Sequence, residues 1–221
     1  MKQTLPPRQI EFDLLSNAVD SLHHAIDHLA PPGDTPNSSD YKRSILDVAH
    51  SVELLLKERL QREHPALIWK NVEKYPSLDA STVTVDEAIA RLDAICGVKI
   101  ADADRAAINA SKRLRNSIQH YRIKVTEKEA KIAIGKMLAF ILDFSERQLG
   151  HSIRDDLRRD DKLQDLLEIY EFYQAYYDKV EAEMRSKDKW TEPCPQCELP
   201  SFDLMTGVCE VCGHVGDVEA T

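Results

Sequence analysis

Apolar residues return every three or four positions along most of the chain, the spacing of one buried face of an α-helix. Proline or glycine interrupts this pattern at Pro31, Pro65 and Gly97, where a helix is expected to end. Thr126 and Glu129 have the spacing of a capping box, which begins a helix. Helices are therefore predicted over residues 8–30, 38–63 (capped by Ser38 or Ser39), 85–96, 102–120 and 126–149.

Each predicted helix carries an apolar stripe that should face a common core. The stripe of the fifth helix is the widest, so this helix is expected at the centre of the bundle. Residues 66–84 are less regular, and Trp69 and Tyr75 are expected to pack this segment against the helices. The pattern favours an all-α fold, an up-and-down helical bundle over residues 8–149. The predicted inward positions are Ile10, Leu14, Leu22, Ile26, Leu29, Ile45, Val48, Val52, Leu55, Leu56, Leu60, Ile89, Leu92, Ile95, Ile108, Leu114, Ile118, Ile132, Ile134, Met137, Leu138, Ile141 and Phe144.

A long sixth helix is predicted from about Ile153 to Ser186, within a region of residues 150–189. Its apolar positions step alternately by three and four, which is the repeat of a coiled-coil seam. The favoured interpretation is that this helix packs back on its own bundle, and the alternative is a dimer contact or stalk. The seam consists of Leu163, Leu166, Tyr170, Tyr173, Tyr177, Val180 and Met184.

Composition adds a prediction about location. The chain has only 7 glycines in 221 residues, which suits helices. Its longest dense apolar run, from Met137 to Leu142, is much shorter than the roughly 18 residues of a membrane span. Residues Met1 to Arg8 contain no apolar signal region. We therefore expect a cytoplasmic protein that does not enter a membrane.

The charge is unevenly distributed. The net charge is −9, which argues against binding nucleic acid over the whole surface. The segment from Ser111 to Lys136 nevertheless has eight basic residues against two acids, a net +6, so the remainder of the chain carries −15. A basic island in an acidic protein marks a local site for an anion.

Four of the five cysteines form two Cys-x-x-Cys pairs near the end of the chain, Cys194 with Cys197 and Cys209 with Cys212. Two such turns resemble the knuckles of a zinc ribbon and supply four thiolates in a tetrahedron. We predict one structural Zn²⁺ per chain in a ribbon over residues 190–217, with Gly213 at positive φ. A redox role for either pair is the competing interpretation, but it would need a βαβ context that the pattern lacks.

The predicted ribbon is strongly acidic. From Trp190 onward there are six acids and neither lysine nor arginine, so a phosphate backbone would be repelled. A structural role, the docking of a partner protein or the bracing of a dimer is expected instead. His214 is interpreted as a knuckle residue rather than a ligand, and the fifth cysteine, Cys96, as a small buried hydrophobe.

The basic segment contains the motif that points to a function. Arg115 is followed by the polar Asn116, and His120 stands five positions after the arginine. Here the chain resembles the HEPN superfamily, whose signature is an arginine, usually followed by a polar residue, with a histidine four to six positions on. The resemblance covers about residues 8–149 and extends to the layout, a helical bundle with the motif near the end of a late helix.

The resemblance implies a metal-independent endoribonuclease that works as a homodimer, of the kind found among toxins and defence effectors, with RNA as partner. His120 would be the acid or base, Arg115 the phosphate clamp and Asn116 the positioning residue. Histidine titrates near neutrality and arginine can fork onto phosphate oxygens, so both suit this chemistry. For Arg115 and His120 to converge, the helix must end or distort there. The expected RNA-binding residues are Lys112, Arg113, Arg122 and Lys124.

Other interpretations remain open. The alternative is a non-catalytic RNA- or protein-binding scaffold whose ribbon docks a partner, and a third possibility is a nucleotide-sensing regulator. Glu53 and Lys57 form an ordinary helix pair, although Glu53 would fit beside the motif. Asp20, His24 and His28 share a helix face, and a solvated face is favoured there over a metal site.

Overall fold

The computed structural model describes residues 12–31 and 33–216, and most of these residues are helical. They form a helical bundle followed by a small sheet at the C-terminal end. The helices are α1 (Leu14–Leu29), α2 (Ser38–Glu63), α3 (Val85–Cys96), α4 (Asp102–His120), α5 (Glu127–Leu149), α6 (Ile153–Arg159), α7 (Lys162–Leu167) and α8 (Tyr170–Ser186), and the strands are β1 (Thr191–Pro193), β2 (Pro200–Asp203) and β3 (Val208–Cys209).

Local capping chemistry explains where the helices begin and end. Capping boxes start α2 at Asn37, α3 at Thr84 and α5 at Thr126, the last as predicted. Gly97, also as predicted, ends α3 in the left-handed conformation with φ 67°. The N-cap of α2 is Asn37, one or two residues before the predicted Ser38 or Ser39. Its side chain accepts the backbone N–H of Ser39.

The first helix begins later than predicted. Residues 8–11, including the inward position Ile10, lie outside the described residues. Phe12 and Asp13 are not helical, and the Asp13 side chain caps α1 by accepting the backbone N–H of Ser16 at 2.7 Å. Asp13 is a good N-cap residue, and α1 therefore begins at Leu14.

The core lies where α2 and α5 pack against each other, with α1, α3, α4 and α8 around them. The predicted centre, α5, buries residues on nearly every side, and Met137, Leu138 and Ile141 are fully enclosed. Leu114 and Ile118 of α4 are half-buried against this core. Two predicted core residues are misplaced: Ile95, in the last turn of α3, is 51% exposed, and Ile132 is half-buried and lines a surface groove with residues of α8.

The segment between α2 and α3 forms two short 3-10 turns, Pro65–Ile68 and Val72–Lys74. Trp69 is half-buried against the core as predicted, and its indole N–H donates to the carbonyl of Ser77 at 2.8 Å. Tyr75 is 43% exposed and packs edge-on against Trp69, with ring centroids 5.1 Å apart, and its ring lies 6.4 Å from that of His64 at the end of α2.

The predicted sixth helix is three helices, α6, α7 and α8, and this corrects the prediction of one long helix over residues 150–189. The chain breaks at Asp161, which has a left-handed φ of 58°, and again at Ile169. The buried face of α8 is also shifted from the predicted seam: Phe172 and Tyr176 are buried while Tyr170 is exposed. This face packs on α5 of the same chain, in agreement with the favoured interpretation.

Candidate functional site

The four cysteines of the two Cys-x-x-Cys pairs come together at the end of the three-stranded sheet. All four sulfurs lie within 4.8 Å of one another, and the closest pairs, Cys194 with Cys212 and Cys197 with Cys209, are 3.7 Å apart. A disulfide would bring two sulfurs to about 2.05 Å. Ligands about 2.3 Å from a tetrahedral metal ion lie about 3.8 Å from each other, so the cluster has the dimensions of a metal site.

Backbone and side-chain donors surround these sulfurs. The N–H of Gln196 donates to the Cys194 sulfur and that of Cys212 to the Cys209 sulfur, both at 3.4 Å. The Ser201 hydroxyl lies within hydrogen-bonding distance of the Cys209 sulfur, at 3.1 Å. Donors that favour a thiolate are typical of the outer shell of a metal site. The cluster can therefore hold a metal ion.

The knuckle carrying Cys209 and Cys212 is docked on the helices. Gly213 has the predicted positive φ, 71°, and its carbonyl accepts a hydrogen bond from the Arg158 guanidinium of α6. Arg154, one turn earlier, donates to the carbonyl of Glu210 at 2.7 Å. Burial raises the pKa of Tyr176 to about 12, and its hydroxyl, which stays protonated, faces the carbonyl of Val211 at 3.5 Å. The sequence patterns did not single out the three helix residues that make these contacts, Arg154, Arg158 and Tyr176.

The acidic side of this module is partly neutralised. Lys189 pairs with Asp203 at 2.9 Å and with Glu210, and Lys189 is the last basic residue before the acidic stretch. Trp190 and Met205, by contrast, are largely exposed near the sheet end opposite the cysteines. The module therefore has one face against the helices and an apolar tip turned to solvent.

The motif residues lie in the last two turns of α4, which stays helical through His120. Asn116 and His120 are both exposed, and their four-residue separation places them on the same face. Within the described part of the chain no hydrogen bond joins them. Arg115 lies about 140° away around a regular helix, so the distortion that would bring it to His120 within one chain is absent.

Arg115 turns toward α2. Its guanidinium lies 3.9 Å from the carboxylate of Glu53, which in turn accepts a hydrogen bond from Lys57 at 2.6 Å. Glu53 is thus beside the motif, as the weaker sequence signal suggested. The structure brings together Arg115 with Glu53 and Asn116 with His120, on two sides of α4.

The expected RNA-binding residues divide into two sets. Lys112 is ion-paired with Asp86 of α3, and Arg113 is exposed on α4. Arg122 and Lys124 follow the motif and line a groove of about 890 Å³ between the connection from α4 to α5 and the beginning of α2. Tyr121 and Lys42 line the same groove, although neither was predicted as an RNA-binding residue. Tyr121 could have been found from the sequence as an aromatic residue inside the basic segment.

The face of α1 that carries Asp20, His24 and His28 is not a metal cluster, and as favoured it is largely solvated: Asp20 and His24 are exposed and His28 is half-buried. Ring nitrogens of His24 and His28 lie 2.6 Å from Asp47 and 3.0 Å from Asp40 of α2. The two histidine rings also meet edge-on, with centroids 4.6 Å apart. Among residues 12–31 and 33–216, the cysteine cluster is the one group of His, Cys, Asp or Glu with metal-binding geometry. These histidines therefore tie α1 to α2.

Within the described residues, no helix combines the length and apolarity needed to cross a lipid bilayer. Comparison of the chain with protein-family models, curated proteins and solved structures found no match.

Proposed function

We propose that two copies of this chain form a metal-independent endoribonuclease of the HEPN type, with the Arg115, Asn116 and His120 side chains of both copies around one RNA phosphodiester. The observation that carries this proposal is the exposed Asn116–His120 face at the end of α4, which continues directly into a groove with basic walls. A histidine that exchanges protons with RNA must be open to solvent, and this one is. The wide angle between Arg115 and His120 on one helix is the reason that the site needs a second copy.

The reaction follows from the chemistry of these side chains. A histidine acting as base takes the proton of an RNA 2′-hydroxyl, and the 2′-oxygen then forms a bond to the adjacent phosphorus. The bond from phosphorus to the 5′-oxygen breaks, and that oxygen takes a proton from an acid, which the second histidine supplies. Arg115 neutralises the charge that develops on the phosphate oxygens. The products are a 2′,3′-cyclic phosphate and a free 5′-hydroxyl.

The proposal is tested with a labelled single-stranded RNA in buffer without added divalent ions. We expect cleavage to fragments ending in 2′,3′-cyclic phosphate, and a decrease of about 100-fold or more in rate for Arg115→Ala and for His120→Ala. Arg105→Ala, also exposed on α4, and His24→Ala on α1 serve as matched controls and should keep the parental rate. Absence of cleavage, or equal cleavage by both motif variants, would show that the chain is not such an enzyme.

The metal that we propose for the cysteine cluster is Zn²⁺, in a purely structural role. Four sulfurs within 4.8 Å of one another, with two pairs 3.7 Å apart, suit its tetrahedral geometry, and four thiolate ligands leave no open position for a water or substrate. Elemental analysis of protein purified without chelator should find about one zinc per chain. A value far below one, or another metal in its place, would contradict the assignment.

A non-catalytic binder is the second candidate, and the exposed Trp190 and Met205 at the tip of the metal-binding module favour it. Such a protein would bind RNA or a partner protein without breaking a bond. RNA that binds to the parent chain and is recovered intact after incubation would support this candidate against the nuclease.

A further inference from the structure

The groove that begins at the motif has two walls with different origins. Residues Pro36 to Ile45, at the beginning of α2, form one wall, and residues Ile118 to Ala130, from the end of α4 to the start of α5, form the other. Tyr121 is the first residue beyond α4 and directly follows His120. A strand that leaves the motif on this side would therefore enter the groove at Tyr121.

The Tyr121 ring is available for stacking. It is 74% exposed, and its nearest aromatic neighbour in the described part of the chain is the His120 ring, with centroids 6.4 Å apart. An exposed ring of this size beside cations is a platform on which an unpaired base can stack. Ile118 and Ile123 supply apolar surface behind it.

The charge of the groove favours an anion. Lys42, Arg122 and Lys124 are exposed, and among the residues that the structure describes none of them pairs with a carboxylate. The acid in the groove, Glu127, is already engaged: Lys131 lies 2.7 Å from its carboxylate and the Tyr41 hydroxyl donates to it at 2.8 Å. The groove therefore presents three free cations to a ligand.

We propose that this groove binds an unpaired segment of RNA, with one base stacked on Tyr121 and the following phosphates held by Arg122, Lys124 and Lys42. This inference rests on the proposed function, because it extends the strand from the cleaved phosphodiester. The faces of the bases are stacked inside a duplex. A duplex could therefore contact the basic side chains through its phosphates, but it could not stack a base on Tyr121. The groove thus selects single-stranded regions over helical ones.

Binding is measured by fluorescence anisotropy in the His120→Ala background, which blocks cleavage. The probes are a labelled 12-nucleotide single strand and a duplex of the same sequence. We expect the single strand to bind at least tenfold more tightly than the duplex. Tyr121→Ala should weaken its binding roughly 5- to 150-fold, the range for loss of one stacked base, whereas Tyr121→Phe keeps the ring and should stay within about twofold.

Two further variants separate stacking from charge. Replacing Arg122 and Lys124 by Gln should lower the dependence of log K on log salt by about 0.7 for each lost phosphate contact. Tyr170→Ala removes a tyrosine ring of similar exposure, 68%, at the start of α8, outside the groove, and should leave RNA binding unchanged.

Equal binding of duplex and single strand, or unchanged binding by Tyr121→Ala, would overturn the inference. So would a Tyr121→Ala variant that changes the oligomeric state in size-exclusion chromatography while RNA binding is retained, because the groove would then be an interface between copies. Failure of the proposed function would give a different result. If the RNA stays intact but its binding depends on Tyr121, the nuclease proposal is refuted and the groove proposal is supported. Cleavage with Tyr121-independent binding refutes the groove alone.

Discussion

At the scale of single residues, the least ordinary group is the ammonium of Lys57. This lysine is only 7% exposed, and its side-chain nitrogen donates hydrogen bonds to Glu53 at 2.6 Å and to the Thr82 hydroxyl at 2.9 Å. Glu53 also faces Arg115. The carboxylate of Glu53 therefore stabilises a buried cation and orients a motif residue at the same time.

The two partners are not equivalent, and this gives a prediction. Glu53→Ala leaves a buried ammonium with one neutral partner and should lower the free energy of unfolding by about 1–3 kcal/mol. Lys57→Met removes the charge from an enclosed site, and the remaining carboxylate keeps Arg115 and some solvent, so its cost should stay below about 1 kcal/mol. Urea unfolding followed by circular dichroism measures both. If Lys57→Met were the more costly change, Glu53 would not have the role described.

Some of these residues were predictable from sequence and others were not. The cysteines and the cap at Thr126 carry their chemistry in short local spacings, so the sequence analysis identified them. Asn116 and His120 were placed on one face by helical geometry alone. The contacts of Arg154, Arg158 and Tyr121 were not predictable, because they depend on elements far apart in the chain or on the surface left open by folding.

At the scale of elements, the contact between α5 and α8 depends on a residue without a side chain. A Cβ atom at Gly135 would lie 2.8 Å from backbone atoms of Glu171 and Phe172, at the start of α8. Glycine weakens a helix, but here it lets the two backbones approach. The stacked rings of Phe172 and Tyr176, with centroids 5.4 Å apart, are buried on the resulting face of α8.

Gly135→Ala should therefore destabilise the protein even though alanine is the better helix former. Backbone atoms cannot move aside as a flexible side chain can, so we expect overpacking to outweigh the gain in helix propensity, with a net loss of about 1–2 kcal/mol. Ala133→Gly on the same helix is the control and should cost only about 0.5–1 kcal/mol. Thermal unfolding measures both changes, and a higher midpoint for Gly135→Ala would contradict this account.

The breaks between α6, α7 and α8 show the limit of periodicity. No proline or glycine stands between residues 151 and 192, so no local signal ends a helix there. Leu157 and Leu163 would lie about 120° apart on one straight helix, yet both are buried. The turn at Asp161 brings both leucines against the bundle. The burial gained by this turn depends on the rest of the fold, so it cannot be predicted from the spacing of apolar residues along one segment.

At the scale of the whole molecule, the metal-binding module and the bundle are joined by hydrogen bonds to the knuckle backbone. Arg154 and Arg158 reach the carbonyls of Glu210 and Gly213, which flank Cys209 and Cys212 of the cysteine cluster. These carbonyls are held in place only while the knuckle keeps its shape. The bound metal should therefore stabilise the docking of α6 as well as its own sheet.

Cys212→Ser should lose the metal and lower the midpoint of thermal unfolding by roughly 2–10 °C, if the lost contacts stabilise by about 1–3 kcal/mol. The helical signal in circular dichroism should remain nearly complete at low temperature, because the core between α2 and α5 lies elsewhere. Cys96→Ser is the matched control, since this half-buried cysteine on α3 is outside the cluster. Full metal content in Cys212→Ser, or metal loss in Cys96→Ser, would contradict the ligand assignment.

The left-handed turn at Asp161 also decides which surfaces the metal can influence. A straight helix over the 34 positions from Ile153 to Ser186 would be about 51 Å long and would carry the cysteines away from the rest of the chain. Folded back, the same residues place the cysteine cluster against α6 and α8. A change in metal occupancy there should therefore alter the stability of these two helices before that of the distant core between α2 and α5.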